Sequence, residues 1–370
     1  MKIGILITSI SNFGKAGFYN SQEVGLAKAL STKCAEVMIY KLLPMSEAFH
    51  TEKVEGFPNV TLCLIPAKNF GINGKLNTCI LNDDLSVLLH FSDTQFSVPR
   101  ASAWCKKHGV QYLPYIGVTE SHSTGKLKKM ITNVMFSRNL RVYKRSECLA
   151  KTPAVKDALQ KKGVHHIGLL PVGLDESLLY SDWESASPVA LKQEFGFEIE
   201  DQVLLFVGRM TEEKRPIEMM DIFSELYQEN HSYRLLMIGN GVLLEEVQKK
   251  AADLCISHAV RFLESLPNHE MWKVYRMADA FINLNRQEIF GMAILEAMYY
   301  GCKVVAYHAP GPDFIIEDGV SGYLAETQQT LLEAVSEKPC VPEQAHRRVA
   351  EHFTWEKMAA NVQELLCGRE

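Results

Sequence analysis

The sequence lacks the patterns that would hold a metal, cross-link the chain or cross a bilayer. Its nine cysteines form no Cys-x-x-Cys pair and have no histidines at zinc-ligand spacing, so neither a disulfide framework nor a zinc site is indicated. Asp-x-Asp is also absent, and no magnesium site is proposed. The apolar run at residues 3–7 is too short for a signal-peptide core, and no run is long enough to span a membrane. We therefore expect a metal-free cytoplasmic protein, either soluble or peripheral to the inner face of the membrane.

Charge is divided unevenly along the chain, although the net value is only -5. Through Asp175 there are 22 Lys and Arg against 12 Asp and Glu, and after it 17 against 32. A basic first half predicts an anionic partner there, such as a lipid headgroup or an acidic acceptor, whereas two ordinary solvated surfaces are the alternative. No nucleic-acid partner is predicted.

Short apolar runs alternate with helical or polar stretches in two successive series. The first has runs at residues 3–7, 37–40, 60–65, 87–91 and 111–116, and the second at 203–207, 234–238, 259–263, 280–284 and 303–307. Such alternation is typical of parallel sheets covered by helices. The sequence predicts an α/β protein of two facing Rossmann-like domains, 1–178 and 179–354, with ligands held between the carboxyl ends of their strands.

A cationic loop follows the first run of the second series. It reads Gly208-Arg209-Met210-Thr211-Glu212-Glu213-Lys214-Arg215-Pro216, and Pro216 suits the first turn of a helix. The Arg209 guanidinium and the Lys214 ammonium, beside free helix amides, suit a diphosphate. Solvated surface cations are the ordinary alternative until a second motif agrees.

The second motif follows the run at 280–284 and opens a helix. Gly291 permits close backbone approach, so the amides of Phe290, Gly291 and Met292 are expected to bind a ligand. Glu288 in the loop and Glu296 in the helix would reach two different parts of it. An ordinary helix with surface glutamates is the alternative.

These motifs together resemble the C-terminal domain of family 4 of the retaining GT-B glycosyltransferases. The resemblance covers essentially the whole chain and is strong after residue 165. The segments that carry it are Leu170-Pro171-Val172-Gly173-Leu174-Asp175, Val207-Gly208-Arg209, Ile238-Gly239-Asn240-Gly241, Glu288, Phe290-Gly291, Glu296-Ala297-Met298, Gly311-Pro312 and Glu317-Asp318-Gly319-Val320-Ser321-Gly322-Tyr323-Leu324.

The resemblance implies a nucleotide-sugar donor as substrate, and implies retention of anomeric configuration. Arg209 and Lys214 would neutralise the donor diphosphate, Glu296 would hold the ribose hydroxyls, and Glu288 would face the transferred sugar. It also implies that a last helix over 355–370 crosses back to the first domain. The predicted role of the cations agrees with chemistry, because negative charge grows on the departing diphosphate.

Two other enzyme classes fit the residues less well. Two glutamates can serve a glycosidase as acid and nucleophile, but the diphosphate cradle would then have no purpose. A nicotinamide-binding first domain needs Gly-x-Gly-x-x-Gly and an acidic end to the second strand, whereas the sequence has Gly14-x-x-Gly17 and Tyr40-Lys41.

The acceptor side of the predicted site is less well defined. Gly17 matches a glycine of the family's N-terminal loop and is predicted to bring backbone amides to the ligand. Many family members have a cleft histidine where this sequence has Gly117. His122, Glu120, His90 and Asp93 are the neighbouring candidates at strand ends, although an isolated histidine such as His122 is more often structural or solvated than catalytic.

Residues 126–151 form a basic segment interleaved with apolar residues. Such a segment can dock on an anionic membrane surface, whereas a core-packed helix with a solvated basic face has the same pattern.

Together these patterns predict a metal-independent hexosyl- or N-acetylhexosaminyltransferase. It would move sugar from a nucleotide-diphosphate sugar, with UDP favoured, to a hydroxyl of a glycan or lipid-linked acceptor in polysaccharide biosynthesis. A non-catalytic GT-B subunit and a sugar-nucleotide epimerase are the alternatives.

Overall fold

The computed structural model describes residues 1–10, 22–71, 73–119 and 126–367. The chain forms two compact units, one of Met1–Asp175 with Trp355–Glu370 and one of Glu176–Thr354. The division at Asp175 lies three residues before the boundary predicted from the sequence, and it coincides with the change from basic to acidic composition.

The first unit is a sheet with helices. Its strands are β1 Lys2–Ile7, β2 Glu36–Pro44, β3 His50–Val54, β4 Phe57–Ala67, β5 Asn69–Phe70, β6 Asn73–Gly74, β7 Val87–Phe91, β8 Gln111–Ile116, β9 Cys148–Ala150 and β10 Ile167–Leu169. Its helices before the division are α1 Gln22–Ser31, α2 Val98–His108, α3 Lys126–Tyr143 and α4 Pro153–Lys161.

The main sheet of this unit has the order β10-β9-β8-β7-β1-β2-β4-β3 among the described residues. Its strands pair in parallel, except that β3 pairs antiparallel with β4 at the edge. The order reverses between β1 and β7, which is the place where open α/β sheets bind ligands. The sequence patterns do not predict β3, because its side chains are mostly exposed and form no apolar run.

The second unit has a parallel sheet of the order β13-β12-β11-β14-β15-β16. Its strands are β11 Gln202–Val207, β12 Tyr233–Ile238, β13 Val260–Leu263, β14 Ala280–Asn283, β15 Val304–Tyr307 and β16 Tyr323–Ala325. Its helices are α5 Pro188–Glu194, α6 Pro216–Glu229, α7 Leu244–Asp253, α8 Met271–Met277, α9 Met292–Tyr299, α10 Pro312–Ile315, α11 Gln328–Ser336 and α12 Pro342–His352.

Central strands of the second unit are buried on both faces. Residues 203–206 of β11 are at most 3% exposed, which explains why the strand reads as a continuous apolar run. The order of this sheet reverses between β11 and β14, so the loops that follow these two strands begin side by side.

The last helix, α13 Trp355–Cys367, belongs to the first unit. Trp355 is 1% exposed and lies against α1 at Gly25, where an added Cβ would come within 2.2 Å of the indole Nε1. Only a glycine leaves room for the indole there. Within the described ranges, no helix is long and apolar enough to cross a membrane.

Candidate active site

The candidate active site of the second unit lies where β11 and β14 end. The loop after β11 carries Arg209 and Lys214, and the loop after β14 carries Glu288. Since adjacent parallel strands end at the same edge of a sheet, side chains 74 residues apart in sequence meet there.

Lys214 and Glu288 form the central contact of the site. Lys214 Nζ lies 2.5 Å from Glu288 Oε2, and both side chains are largely buried, at 22% and 14% exposure. Asn285 Nδ2 donates to the same carboxylate oxygen at 3.3 Å. An ion pair shielded in this way is stronger than a surface pair, because less solvent screens it.

Arg209 occupies the more open side of the site. Its guanidinium pairs with Glu213, and both side chains are about half exposed. Exposed pairs of this kind contribute little to stability, so the guanidinium can exchange partners at small cost.

The start of α9 supplies backbone donors. Gly291 precedes the first residue of the helix with φ of 98°, a left-handed conformation that favours glycine. The first amides of a helix have no partner within it, and they form a site for anions. Phe290 is 5% exposed, and its ring meets Phe353 edge to face, so only its backbone is available to a ligand.

Glu296 lies one turn into α9 and is half-buried. Tyr275 of α8 donates a hydrogen bond from its hydroxyl to Glu296 Oε2 at 2.9 Å. Burial raises the pKa of Glu296 to about 7, and the Tyr275 hydrogen bond opposes part of that rise. A carboxyl group poised near neutrality can accept hydrogen bonds from ligand hydroxyls. The sequence motifs gave no sign of Tyr275, because it belongs to a helix 21 residues away.

The predicted site residues of the first unit fall in two groups. Gly17, Glu120 and His122 lie outside the described residues. His90 is fully buried, with Nδ1 2.7 Å from the Tyr112 hydroxyl, and burial lowers its pKa to about 3. A neutral histidine enclosed in this way belongs to the core of the unit and cannot reach an acceptor.

Similarity to known proteins agrees with this geometry. Residues 190–338 match the family model of the glycosyl transferases group 1. A D-inositol 3-phosphate glycosyltransferase of Frankia alni is 35% identical over 146 residues, covering 37% of this chain and 36% of that relative. The matched segments span from 34% to 52% of the length of the first curated relatives.

Two solved structures resemble the whole chain. HepE of Anabaena in complex with UDP and glucose has a TM-score of 0.71 at 15% identity, and covers 100% of both chains. Sucrose-phosphate synthase of Thermosynechococcus elongatus has a TM-score of 0.75 at 15% identity, and covers 100% of this chain and 98% of the other.

The fold is therefore that of the GT-B glycosyltransferases, as the sequence predicted. Within it, residues 190–338 match the model of the glycosyl transferases group 1, and the predicted family resemblance is confirmed over that segment.

Proposed function

We propose that this protein is a retaining glycosyltransferase that moves a sugar from a UDP-sugar to a hydroxyl of a glycan or lipid-linked acceptor. The observation that carries the proposal is the convergence of Lys214, Glu288, the start of α9 and Glu296 at the switch point of the second sheet. Hexosyl and N-acetylhexosaminyl groups both fit this proposal.

Arg209 and Lys214 would bind the donor diphosphate together with the first amides of α9. In the unliganded site Lys214 is paired with Glu288, and the diphosphate would compete for the Lys214 ammonium. The released Glu288 carboxylate would then be available to the transferred sugar, whose anomeric carbon becomes cation-like in the transition state. Glu296 would accept hydrogen bonds from the ribose hydroxyls.

Retention would follow from attack on the same face that the diphosphate leaves. In that mechanism the leaving phosphate oxygen takes the proton of the acceptor hydroxyl, so no side chain is needed as a base. We further propose that two cations and backbone amides suffice for the diphosphate, so that no metal or other cofactor is required. Product stereochemistry is measured by NMR of the anomeric proton.

UDP is the favoured carrier because HepE of Anabaena, which has the same fold, was solved with UDP and glucose. We favour a lipid-linked acceptor at a membrane surface, because of the exposed side chains of α3. Met130, Ile131 and Val134 are 58%, 40% and 65% exposed on a helix that begins with a basic run. Exposed apolar side chains in a helix of basic sequence suit an anionic membrane surface. Met135 and Phe136 of the same helix are buried, so one side of it packs in the core.

We also propose a cytoplasmic location. Eight cysteines within the described residues are free thiols, which suits a reducing compartment.

Thermal unfolding against a panel of nucleotide diphosphates and their sugars, with chelator present, tests the proposal. Saturation at a hundred times the dissociation constant stabilises a folded protein by roughly 2.7 kcal/mol. We expect a shift for uridine nucleotides that is lost in Arg209→Ala/Lys214→Ala and kept in Lys249→Ala/Arg347→Ala. The control removes the same charges from exposed positions of the same unit.

No shift with any nucleotide would instead favour a non-catalytic subunit. A sugar nucleotide converted without an acceptor would identify an epimerase.

A further inference from the structure

Three neighbouring strands of the first unit are followed by residues that the proposed donor site does not use. Asp93 follows β7, Gly117 follows β8 and Lys151 follows β9. These strands are adjacent in the parallel sheet, so the three residues lie together at its carboxyl edge. Ligands of doubly wound folds bind at this edge.

Lys151 occupies the space that a side chain at position 117 would fill. A Cβ added to Gly117 would lie 3.1 Å from Lys151 Cε and 3.2 Å from Nζ. The ammonium also lies over the Tyr115 ring, 5.6 Å from its centroid. The absence of a side chain at 117 therefore lets a cation from the next strand reach this edge.

The charge of Lys151 is poorly compensated inside the unit. Within the described part of the chain its ammonium donates one long hydrogen bond, 3.4 Å to Gln22 Oε1, and it pairs with no carboxylate. The carboxylate of Asp93 is already engaged, because its Oδ1 accepts from the amides of Gly117 at 2.6 Å and Val118 at 3.0 Å. Burial lowers the pKa of Lys151, against the opposing charge of Asp93.

The Tyr115 ring beside this cation carries a hydroxyl without a partner among the described residues. Tyr115 is 2% exposed, yet its hydroxyl makes no hydrogen bond within the part of the chain that the structure describes. Buried polar atoms are satisfied in nearly all folded proteins, so a polar atom left without a partner here points to a ligand.

The surrounding loop is held in place by α3. The Tyr143 hydroxyl donates to the carbonyl of Asp93 at 2.6 Å, and Asn139 Nδ2 donates to the carbonyl of Gln95 at 2.9 Å. A loop fixed at two carbonyls keeps Asp93 at the edge of the sheet, so Lys151 lies beside a loop whose position is set before any ligand binds.

We propose that Lys151, with the Tyr115 hydroxyl beside it, binds an oxyanion group of the acceptor, a phosphate or a carboxylate. An ammonium removed from water is stabilised most by an anion that accepts its hydrogen bonds. A neutral sugar hydroxyl would leave the charge uncompensated. The excess of basic residues through Asp175 favours the same ligand by attracting it. This inference deepens the proposed function and rests on it.

Calorimetric titration with inorganic phosphate tests the inference. Phosphate also suits the proposed diphosphate cradle, so each titration is made in the Arg209→Ala/Lys214→Ala background. We expect phosphate to bind this background and Lys151→Gln to weaken that binding about 30-fold, as expected for loss of one partner of a buried charge pair. Lys107→Gln, an exposed lysine of the same unit, is the control and leaves the affinity unchanged.

Gly117→Ala provides a second variant that keeps the lysine. Its methyl group would lie 3.1 Å from Lys151 Cε, so the lysine side chain must shift slightly, and we expect weaker phosphate binding without loss of folding, which circular dichroism checks. A parallel titration with glucuronate separates the two sources of the oxyanion, because the tighter ligand identifies a phosphate-bearing or a carboxylate-bearing acceptor.

Absence of binding by both anions, or equal phosphate affinity in Lys151→Gln and its background, would overturn the inference. Neither result bears on UDP, whose binding is measured separately in the protein with Arg209 and Lys214 intact. Failure of the inference and failure of the proposed function are therefore distinguishable.

Discussion

The two units have the same kind of sheet, but they differ in whether the cation at the carboxyl edge of the sheet is paired with a carboxylate. In the acidic second unit, the buried cation Lys214 already has a carboxylate partner in Glu288. In the basic first unit, Lys151 lies at the corresponding edge of the sheet, and among the described residues it contacts the Gln22 amide and the Tyr115 ring but no carboxylate. A site with internal ion pairs can release and rebind its cations, whereas an uncompensated cation favours a ligand that brings negative charge. In the proposed function, this difference assigns the donor to the second unit and an oxyanion group of the acceptor to the first.

Removing Glu288 should have the largest effect and should separate transfer from donor binding. We expect Glu288→Gln to lower kcat on the order of 100-fold to 1,000-fold, because a group that stabilises the transition state is lost. Affinity for UDP should stay the same or rise, since Lys214 loses its competing partner. UDP release from the donor sugar measures the rate, and calorimetry measures the affinity. Reduced UDP affinity with an unchanged kcat would contradict the exchange of partners.

Replacing Glu296 should change how stability depends on pH. The pKa of this carboxyl is raised to about 7 in the folded chain, from an ordinary value of 4.5. A raised pKa stabilises the fold below pH 4.5 and that contribution is lost as the pH rises through 7, by up to about 3 kcal/mol. Glu296→Gln should therefore be more stable than the wild type at pH 8 and should lose this dependence.

Urea unfolding without ligand at pH 5 and pH 8 measures this difference. Glu351→Gln, at an exposed carboxylate of the same unit, is the control. A variant less stable than the wild type at pH 8 would show that the carboxylate stabilises the unliganded fold.

Crowding the contact between α1 and α13 should affect only the first unit. Gly25→Ala places a methyl group against the Trp355 indole, and overpacking of this kind costs about 1–3 kcal/mol. We expect a lower melting temperature with the UDP affinity of the second unit unchanged. Lys33→Ala, exposed just after the same helix, is the control. Unchanged stability would mean that the indole moves away without cost.

The smallest expected effect concerns the exposed side chains of α3. Replacing Met130, Ile131 and Val134 with serine should weaken sedimentation with anionic vesicles, because each buried apolar group contributes about 1 kcal/mol or somewhat more. Val189→Ser and Ile199→Ser, at exposed positions of the second unit, serve as controls. If the wild type does not sediment with anionic vesicles at low salt, the proposed binding of α3 to a membrane surface is wrong.

Much of the fold follows from local patterns in the sequence. Strands such as Val87–Phe91 and Gln111–Ile116 have the predicted bounds, because fully buried parallel strands are continuous apolar runs. Pro216 begins α6 as predicted, since its ring fits the first turn and its missing amide proton is not needed there. Edge strand β3 gives no such signal.

Contacts between distant segments could be predicted only in part. The motifs predict the four site residues of the second unit, which are Arg209, Lys214, Glu288 and Glu296. They do not predict that Lys214 pairs with Glu288, because that contact depends on the order of strands in the sheet. The sequence places Lys151 at the end of the basic segment 126–151. No local pattern shows that its side chain fills the space beside Gly117. A residue whose role depends on a neighbouring strand has no signal in its own stretch of sequence.

The central claim is that a nucleotide diphosphate binds at the switch point of the second sheet through Arg209 and Lys214. Its most direct test is calorimetric titration of UDP, with chelator present, into the wild type, the Arg209→Ala/Lys214→Ala variant and the Lys249→Ala/Arg347→Ala control. We predict one site per chain, with affinity at least about tenfold weaker in the first variant only, as expected for charge-assisted contacts. Equal UDP affinity in all three proteins would contradict the account.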